Sequence, residues 1–359
     1  MRSSYKNEDV CLLLKDITGL VQPQQTEERE RLIQSGRHYC EMLPIEYVPT
    51  EQYMQVYREA LKQYAKPTAL AVGNLADKVV QTRGKRTVLV SLARAGIPIG
   101  ILLKRYIRWK YGIDMPHYSI SIIRGRGIDD VAMQYLLKRY APKQLLFVDG
   151  WIGKGAILNE LKRDVSVYEG VSADIAVLAD PANATKLCGT HEDILIPSSC
   201  LNCTVSGLIS RTFLREDIIR AGEFHGAVYY GEYRESDLSY PFIHAIEAEF
   251  VMENQTKGNQ IEGNQIEDKQ AEGLGIQEVE EIARCFGVED INFIKPGIGE
   301  TTRVLLRRVP WKVLIDERYK NDPSLAHIIR LAEEKGVSVE YYPLNHYKTC
   351  GIIRKLADI

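Results

Sequence analysis

No stretch of the 359-residue sequence approaches the ~18 consecutive apolar residues that a membrane-crossing helix needs. The first residues carry no basic segment followed by an apolar core, so no secretory signal is expected. Charge of one sign is missing too: 46 Lys/Arg face 48 Asp/Glu, a formal net charge of −2. That balance gives no global pull toward nucleic acid or anionic lipid, so any such contact has to be local. Cysteine is sparse, and its seven residues (Cys11, Cys40, Cys188, Cys200, Cys203, Cys285 and Cys350) are odd in number and scattered. This argues against a disulfide framework and for free thiols in a reducing cytoplasm, without a membrane partner. Neither Gly-x-x-x-x-Gly-Lys-Ser/Thr nor Gly-x-Gly-x-x-Gly occurs, which excludes a Walker loop and a dinucleotide fingerprint. What remains, 45% apolar and 26% charged, describes a globular chain long enough for two domains.

The most informative stretch runs from Gln144 to Ile157. Leu145-Leu146-Phe147-Val148 has the pattern of a buried parallel strand. Asp149 follows at the strand's carboxyl end, then a turn containing Gly150, Gly153 and Gly155, then a helix from Gly155 to Arg163. Free N–H groups at a helix start face an anion, and glycines let the backbone approach it. The same residues also suit an ordinary strand–turn–helix crossover.

A second unit of this kind is Thr87–Leu92, a strand, then Ala93-Arg94-Ala95-Gly96 and a helix from Ile99 to Trp109. A third is the strand His117–Ile123, the loop Arg124-Gly125-Arg126-Gly127-Ile128-Asp129-Asp130 and a helix Val131–Tyr140. Two arginines between glycines suit a mobile loop that closes on phosphate oxygens, while a solvated basic loop with Asp129 as helix cap is the plainer alternative. Residues 1–48 read as polar and weakly patterned. Two lead-in helices are expected at Thr50–Tyr64, with Thr50 as its cap, and at Ala69–Val80.

Asp174–Ala179 reads as another buried strand, ending in Asp180-Pro181-Ala182-Asn183. Residues 192–212 are dense in small hydroxyl and thiol side chains and are expected to lead into a helix. Cys200-x-x-Cys203 with Cys188 and His191 suggests zinc, although a second ligand pair at metal spacing is missing. A cysteine nucleophile, Cys200 or Cys203, paired with His191, His225 or His244 is the other chemistry these residues allow.

Residues 253–273 contain Gly-Asn-Gln-Ile-Glu twice in succession, a polar repeat that reads as a flexible linker. It divides the chain into 1–252, 253–273 and 274–359. The last part alternates helix 276–286, strand Ile291–Ile294, helix Gly299–Arg308, strand Lys312–Ile315, helix Ser324–Lys335, strand Val337–Tyr341 and a final helix. That is the pattern of a small α/β/α sandwich. Residues 291–359 hold 12 Lys/Arg against 8 Asp/Glu, a local basic surplus suited to RNA phosphates. A dimer-forming α/β module is the plainer alternative.

The Gln144–Ile157 stretch resembles the phosphoribosyl-pyrophosphate (PRPP) loop of type I phosphoribosyltransferases. Asp149 matches the first of that loop's two acids, Gly150 stands in place of the second, and Lys154-Gly155 stands where Thr-Gly is usual. The Pro296–Arg303 turn resembles the Gly-x-Asn-Glu-x-x-Lys turn of kink-turn-binding ribosomal and Pelota-type domains. Gly297, Glu300 and Arg303 match it, and Gly299 stands at the base-contacting Asn. The order of parts resembles a bacterial family associated with tellurium-resistance and stress gene clusters, labelled StiP, phosphoribosyltransferase-like and in some members named a cysteine protease.

The resemblance implies a type I phosphoribosyltransferase-like parallel sheet, a linker and a Pelota-like RNA-binding domain. It implies Mg²⁺-dependent transfer of a phosphoribosyl group from PRPP to a small acceptor, a pentosyltransferase reaction in a stress response. Asp149 would hold a ribose hydroxyl, and Lys154, Gly155 and Ala156 the 5′-phosphate. Arg94, Ala95 and Gly96 would meet the diphosphate, over which Arg124 and Arg126 would close. Gly297, Gly299, Glu300, Arg303 and Arg307 would meet structured RNA. A ligand-sensing RNA-binding regulator without catalysis and a cysteine-dependent hydrolase or protease are the alternatives, and a homodimer is among the expected assemblies.

Overall fold

The computed structural model describes residues 1–251 and 274–356, so the polar repeat at 253–273 lies outside the described residues. The chain opens with two short strands, β1 (Cys11–Leu12) and β2 (Lys15–Asp16), then α1 (Thr26–Gln34) and α2 (Glu51–Arg83). There follow β3 (Val88–Leu92), α3 (Gly96–Tyr111), β4 (His117–Ile120), β5 (Ile122–Ile123), β6 (Gly127–Ile128) and α4 (Asp130–Leu137). Next come β7 (Leu145–Trp151), α5 (Ala156–Val165), β8 (Ile175–Ala179), β9 (Cys188–Thr190), β10 (Gly226–Ala227) and α6 (Ser239–Glu247).

Six of these strands form one parallel sheet in the order β1-β4-β3-β7-β8-β9. Strands β3 and β8 are buried at every residue, which is why they read as unbroken apolar runs rather than alternating ones. Helices α2, α3 and α6 cover one face, and α4 and α5 the other. From β3 the chain steps outward to β4, then returns to place β7 on the opposite side of β3. The carboxyl ends of β3 and β7 therefore flank the point where the winding reverses, the usual ligand crevice of an open α/β sheet.

Several sequence expectations need correction. Residues 1–48, polar and weakly patterned in sequence, contribute two strands. Cys11–Leu12 pair with β4 at the sheet edge, and Lys15–Asp16 pair with Gly226–Ala227. Two-residue strands are too short to carry a periodicity. The two helices expected at 50–80 are one 33-residue helix with Pro67 inside it. A proline removes one helical hydrogen bond and crowds the preceding turn. Here buried residues on both sides of it, from Tyr53 to Val79, hold the helix continuous. Thr50 does cap it, accepting from Tyr53 N at 3.1 Å. Residues 192–212 hold two short 3₁₀ turns, Pro197–Cys200 and Cys203–Val205, and no α-helix.

The C-terminal part comprises α7 (Leu274–Phe286), β11 (Ile294–Pro296), α8 (Ile298–Arg307), β12 (Pro310–Ile315), α9 (Ala326–Glu334), β13 (Ser338–Tyr341) and β14 (Thr349–Ile353). Its sheet runs β11-β14-β12-β13, with α7 on one face and α8 and α9 on the other, an α/β/α sandwich. The expected final helix is strand β14, buried at all five positions and antiparallel to both neighbours. A short apolar run fits either structure by pattern alone.

The two parts share one hydrophobic cluster. Tyr53, Tyr57 and Ala60 of α2 pack with Leu195, Leu201 and Val205, and with Ile298, Leu305 and Ile328 of the C-terminal part. The C-terminal part is docked on the sheet's carboxyl edge. Among the described residues no helix is long and apolar enough to cross a membrane.

Candidate anion-binding site

Docking encloses a cavity of about 310 Å³ over the carboxyl ends of β3 and β7. Its walls carry Arg94, Arg124, Lys154 and Arg211 from the first part and Lys295, Arg303, Arg307 and Arg308 from the second. Facing these eight cations are two carboxylates, Asp149 and Glu300. Arg29 lies fully buried nearby, its Nε and Nη1 without hydrogen-bond partners. Its guanidinium adds to the field at Arg211 and Arg308. Arg308 is paired with the buried Glu30 at 2.6 Å and Arg94 lies 3.5 Å from Glu46, yet basic groups outnumber acidic ones around the cavity, a surplus that favours an anion within it.

The β7–α5 turn supplies the floor. Gly155 caps α5 in the left-handed region at φ +81°, and no side chain caps the helix. The first-turn N–H groups of a helix have no partners within it, and here Ala156, Ile157 and Leu158 line the cavity. Lys154 arches across the junction, donating from Nζ to the carbonyls of Ile291 and Ile294. Burial, then the Arg124 charge, lowers its ammonium to about 8. Asp149 lies half-buried at the end of β7, its carboxylate accepting from Gly150 N at 2.8 Å. Burial pushes it up to about 6 against the pull of Arg303.

On the β3–α3 side, Ala93–Arg94 is a cis peptide. Arg94 is buried, donating to the Ile209 carbonyl and lying 3.5 Å from the equally buried Glu46. Gly96 sits behind the cavity wall. A Cβ there would come within 2.3 Å of the Val148 carbonyl oxygen, so this glycine lets α3 approach β7.

Among the expected anion ligands, Arg94, Ala95, Arg124, Asp149, Lys154, Gly155 and Ala156 line this one cavity. Arg126 does not, and pairs instead with Glu41 at 3.1 Å. The arginine loop is a tight hairpin turn between β5 and β6. Gly125 N is held by Glu160, Ile128 N by Asp164, and the Arg124 carbonyl by His38.

The Gly297–Arg307 stretch forms the cavity's opposite wall. Ile298 N donates to Asp193 at 3.0 Å, and Gly299 lies so close to the Trp151 ring that a Cβ would stand 2.3 Å from Cε2. Arg303 stacks over that ring at 4.3 Å and pairs with Glu300 at 2.7 Å. Burial pushes Glu300 up, but Arg303, Lys295 and Lys154 together hold its carboxyl below the usual range. Arg307 donates to Asn202. The turn expected to meet RNA thus faces into the molecule.

Lys295, Arg211, Arg308 and Tyr39 escaped the sequence reading. They lie in four separate segments, and no spacing ties them to Asp149. Among the described residues the Lys295 ammonium has no hydrogen-bond or ion-pair partner, and burial lowers it to about 7. A lysine lowered from 10.5 to about 7 makes the unfolded chain bind more protons between those pH values. Ligand-free stability is therefore expected to rise by about 1–2 kcal/mol between pH 7 and 9.5, after screening by cavity solvent. Melting curves of Lys295→Met over that range are expected to lose most of the slope, and an unchanged slope would rule out Lys295 as its source.

Cys200 and Cys203 do not join Cys188 and His191. Both are buried, and burial lifts the Cys200 thiol to about 12 and Cys203 higher still. Among the described residues neither thiol hydrogen-bonds to a histidine. Cys188 and His191 instead meet Asp180, with ligand atoms of all three within 4.8 Å of one another.

Residues 3–247 match the family described as tellurite-like stress resistance cysteine protease StiP, and residues 273–355 match the Pelota RNA-binding domain. The chain is 35% identical to "Cysteine protease StiP" of Acinetobacter baylyi over 365 residues, covering 98% of this chain and 94% of that one. Similar solved structures include a hypoxanthine-guanine phosphoribosyltransferase of Bacillus anthracis, with 15% identity and TM-score 0.27, covering 51% of this chain and 98% of that one. Another is a hypothetical protein of Neisseria gonorrhoeae with bound ppGpp, with 16% identity and TM-score 0.22, covering 38% of this chain and 70% of that one. Matched over most of its length by the family and nearly end to end by a relative, the chain belongs to the StiP family, with a Pelota-type domain at its C-terminal end.

Proposed function

We propose that the chain binds PRPP or a related sugar phosphate in the cavity between its two parts and transfers the phosphoribosyl group to a small acceptor. The observation that carries this is that eight basic side chains, an uncapped helix start and Asp149 line one cavity at the sheet's winding reversal. In this reading Asp149 accepts from a ribose hydroxyl, and the start of α5 with Lys154 holds the 5′-phosphate. Arg94, Arg124 and the cations of the C-terminal wall meet the diphosphate, offsetting the charge that grows on it as it leaves.

The β7 turn lacks a second acid because Gly150 occupies its place. Glu300 supplies one from the other part, near enough for its charge to push Asp149 upward. Mg²⁺ fits this donor set as an ion carried in on the diphosphate. It usually takes one or two carboxylates and completes its shell with phosphate oxygens and water. Because residues 297–307 are packed on the core, we assign Glu300, Arg303 and Arg307, which line the cavity, to the small ligand. RNA contact at this turn would require the two parts to separate.

PRPP with Mg²⁺ is expected to raise the melting temperature of the full-length chain. The raised Asp149 carboxyl favours folding only at low pH. That contribution is lost as pH rises from about 3.8 to about 6, so the ionised group costs stability at neutrality. Asp149→Asn should therefore be more stable without ligand, by up to about 3 kcal/mol at pH 7.5, and indifferent to PRPP. A wild-type chain with no shift at saturating PRPP, or a full shift retained in Asp149→Asn, would overturn the assignment.

A further inference from the structure

Outside the cavity, the carboxyl edge of the sheet carries a second group of donors. Ala179 of β8 pairs in register with Thr190 of β9, so Asp180 and His191 leave neighbouring strands side by side. Cys188, at the start of β9, turns its thiol toward the same point. Its Sγ lies 3.3 Å from His191 Nε2 and 3.8 Å from Nδ1. His191 Nδ1 lies 3.1 Å from the Asp180 backbone carbonyl oxygen and 3.7 Å from Asp180 Oδ2. Asp180 is wholly buried. Its Oδ2 accepts from Ala184 N and Thr185 N, while Oδ1 has no partner. A buried carboxylate oxygen left unpaired is costly, and a cation is one way to satisfy it.

We propose that Asp180, Cys188 and His191 form a Zn²⁺ site. Thiolate, imidazole and carboxylate are the donors zinc takes. Tetrahedral bonds of about 2.3 Å to sulfur and about 2.05 Å to nitrogen put those two atoms about 3.6 Å apart. With Nδ1 engaged by the Asp180 backbone carbonyl at 3.1 Å, His191 Nε2 is the nitrogen left for the metal, and it lies 3.3 Å from the sulfur, close to that value. Two of the ligands lie on or directly after β9 and the third directly follows β8, so the set is held by sheet pairing rather than by loop closure. The His191 side chain is 48% exposed, so solvent reaches the site and water takes the fourth position. Binding forms the Zn–S, Zn–N and Zn–O bonds and releases the thiol proton to solvent.

A cysteine nucleophile with His191 as base is the competing chemistry. The Cys188 side chain is completely buried, which denies a substrate carbonyl access to the sulfur, and a base–nucleophile pair leaves Asp180 Oδ1 unsatisfied.

The test uses the full-length chain, stripped with chelator and equilibrated with Zn²⁺ alone, with bound metal measured by mass spectrometry. The expected result is one tightly held Zn²⁺ per chain. His191→Ala and Cys188→Ser should each bind at least about 100-fold more weakly, beyond the loss caused by removing a supporting partner. His191 is half-exposed, so its alanine variant keeps its fold, which circular dichroism checks. Cobalt in place of zinc should give a thiolate-to-metal absorption band that disappears in Cys188→Ser. No stoichiometric uptake, or uptake unchanged in both variants, overturns the proposal. So does rapid alkylation of Cys188 that Zn²⁺ fails to slow, the result expected of a nucleophile.

Discussion

Trp151→Ala is expected to destabilise the chain by about 3–5 kcal/mol, the range for a large aromatic side chain removed from a packed site. Trp151 ends β7, two residues after Asp149, and the C-terminal part rests on its ring. Gly299 of α8 lies flat against the indole, and the Arg303 guanidinium stacks over it at 4.3 Å. Removing the ring deletes the apolar contact and the cation–π pair together, and leaves a void between the two parts. The contact can be isolated with a second substitution. In the parent, Gly299→Ala forces a methyl to within 2.3 Å of the ring and should cost about 1–3 kcal/mol. In the Trp151→Ala background that methyl has room, so its cost should vanish or change sign. Denaturant titrations of the four proteins measure the coupling. Strictly additive costs would mean that these residues do not meet in solution and that the docked arrangement is wrong.

That joint marks the limit of what the sequence could disclose. The sheet was legible because its central strands are buried on both faces and read as apolar runs, each followed by a turn and a helix. Asp149, Lys154 and Gly155 were legible because one local pattern, strand–acid–turn–helix, contains them all. Strand β14 and the two-residue strands were not, since so few residues carry no period. The cavity's second wall was also hidden. Lys295, Arg303 and Arg307 share a cavity with Asp149 only because α2 and the 195–205 segment share a core with α8. That is a property of packing between distant stretches rather than of spacing within one. The group Asp180, Cys188 and His191 was half visible. Cys188 and His191 stood out as donors, but the partner that closes the set follows the neighbouring strand and lies in no recognised ligand spacing.

Arg303→Glu is expected to weaken PRPP binding by at least about 100-fold. A hydrogen bond to a charged group contributes about 1.5–3 kcal/mol, or roughly 10- to 150-fold in affinity. Reversing the charge adds repulsion from the phosphates and sets a third carboxylate beside Glu300 and Asp149. Arg303→Lys keeps the charge but gives up the planar fork and the stacking on Trp151, so an intermediate loss is expected. Binding should also weaken as pH rises above about 7. An anion favours the protonated forms of Lys295 and Lys154, held near 7 and 8, and its binding therefore takes up protons. Calorimetry in two buffers of different ionisation enthalpy measures both the affinity and the proton uptake. The effects of Arg303 and Lys295 originate in the C-terminal part, more than 140 residues along the chain from the carboxylate at the end of β7. Unaltered PRPP affinity in Arg303→Glu, with the fold intact by circular dichroism, would confine the ligand to the first part and leave the Gly297–Arg307 turn without a role in holding it.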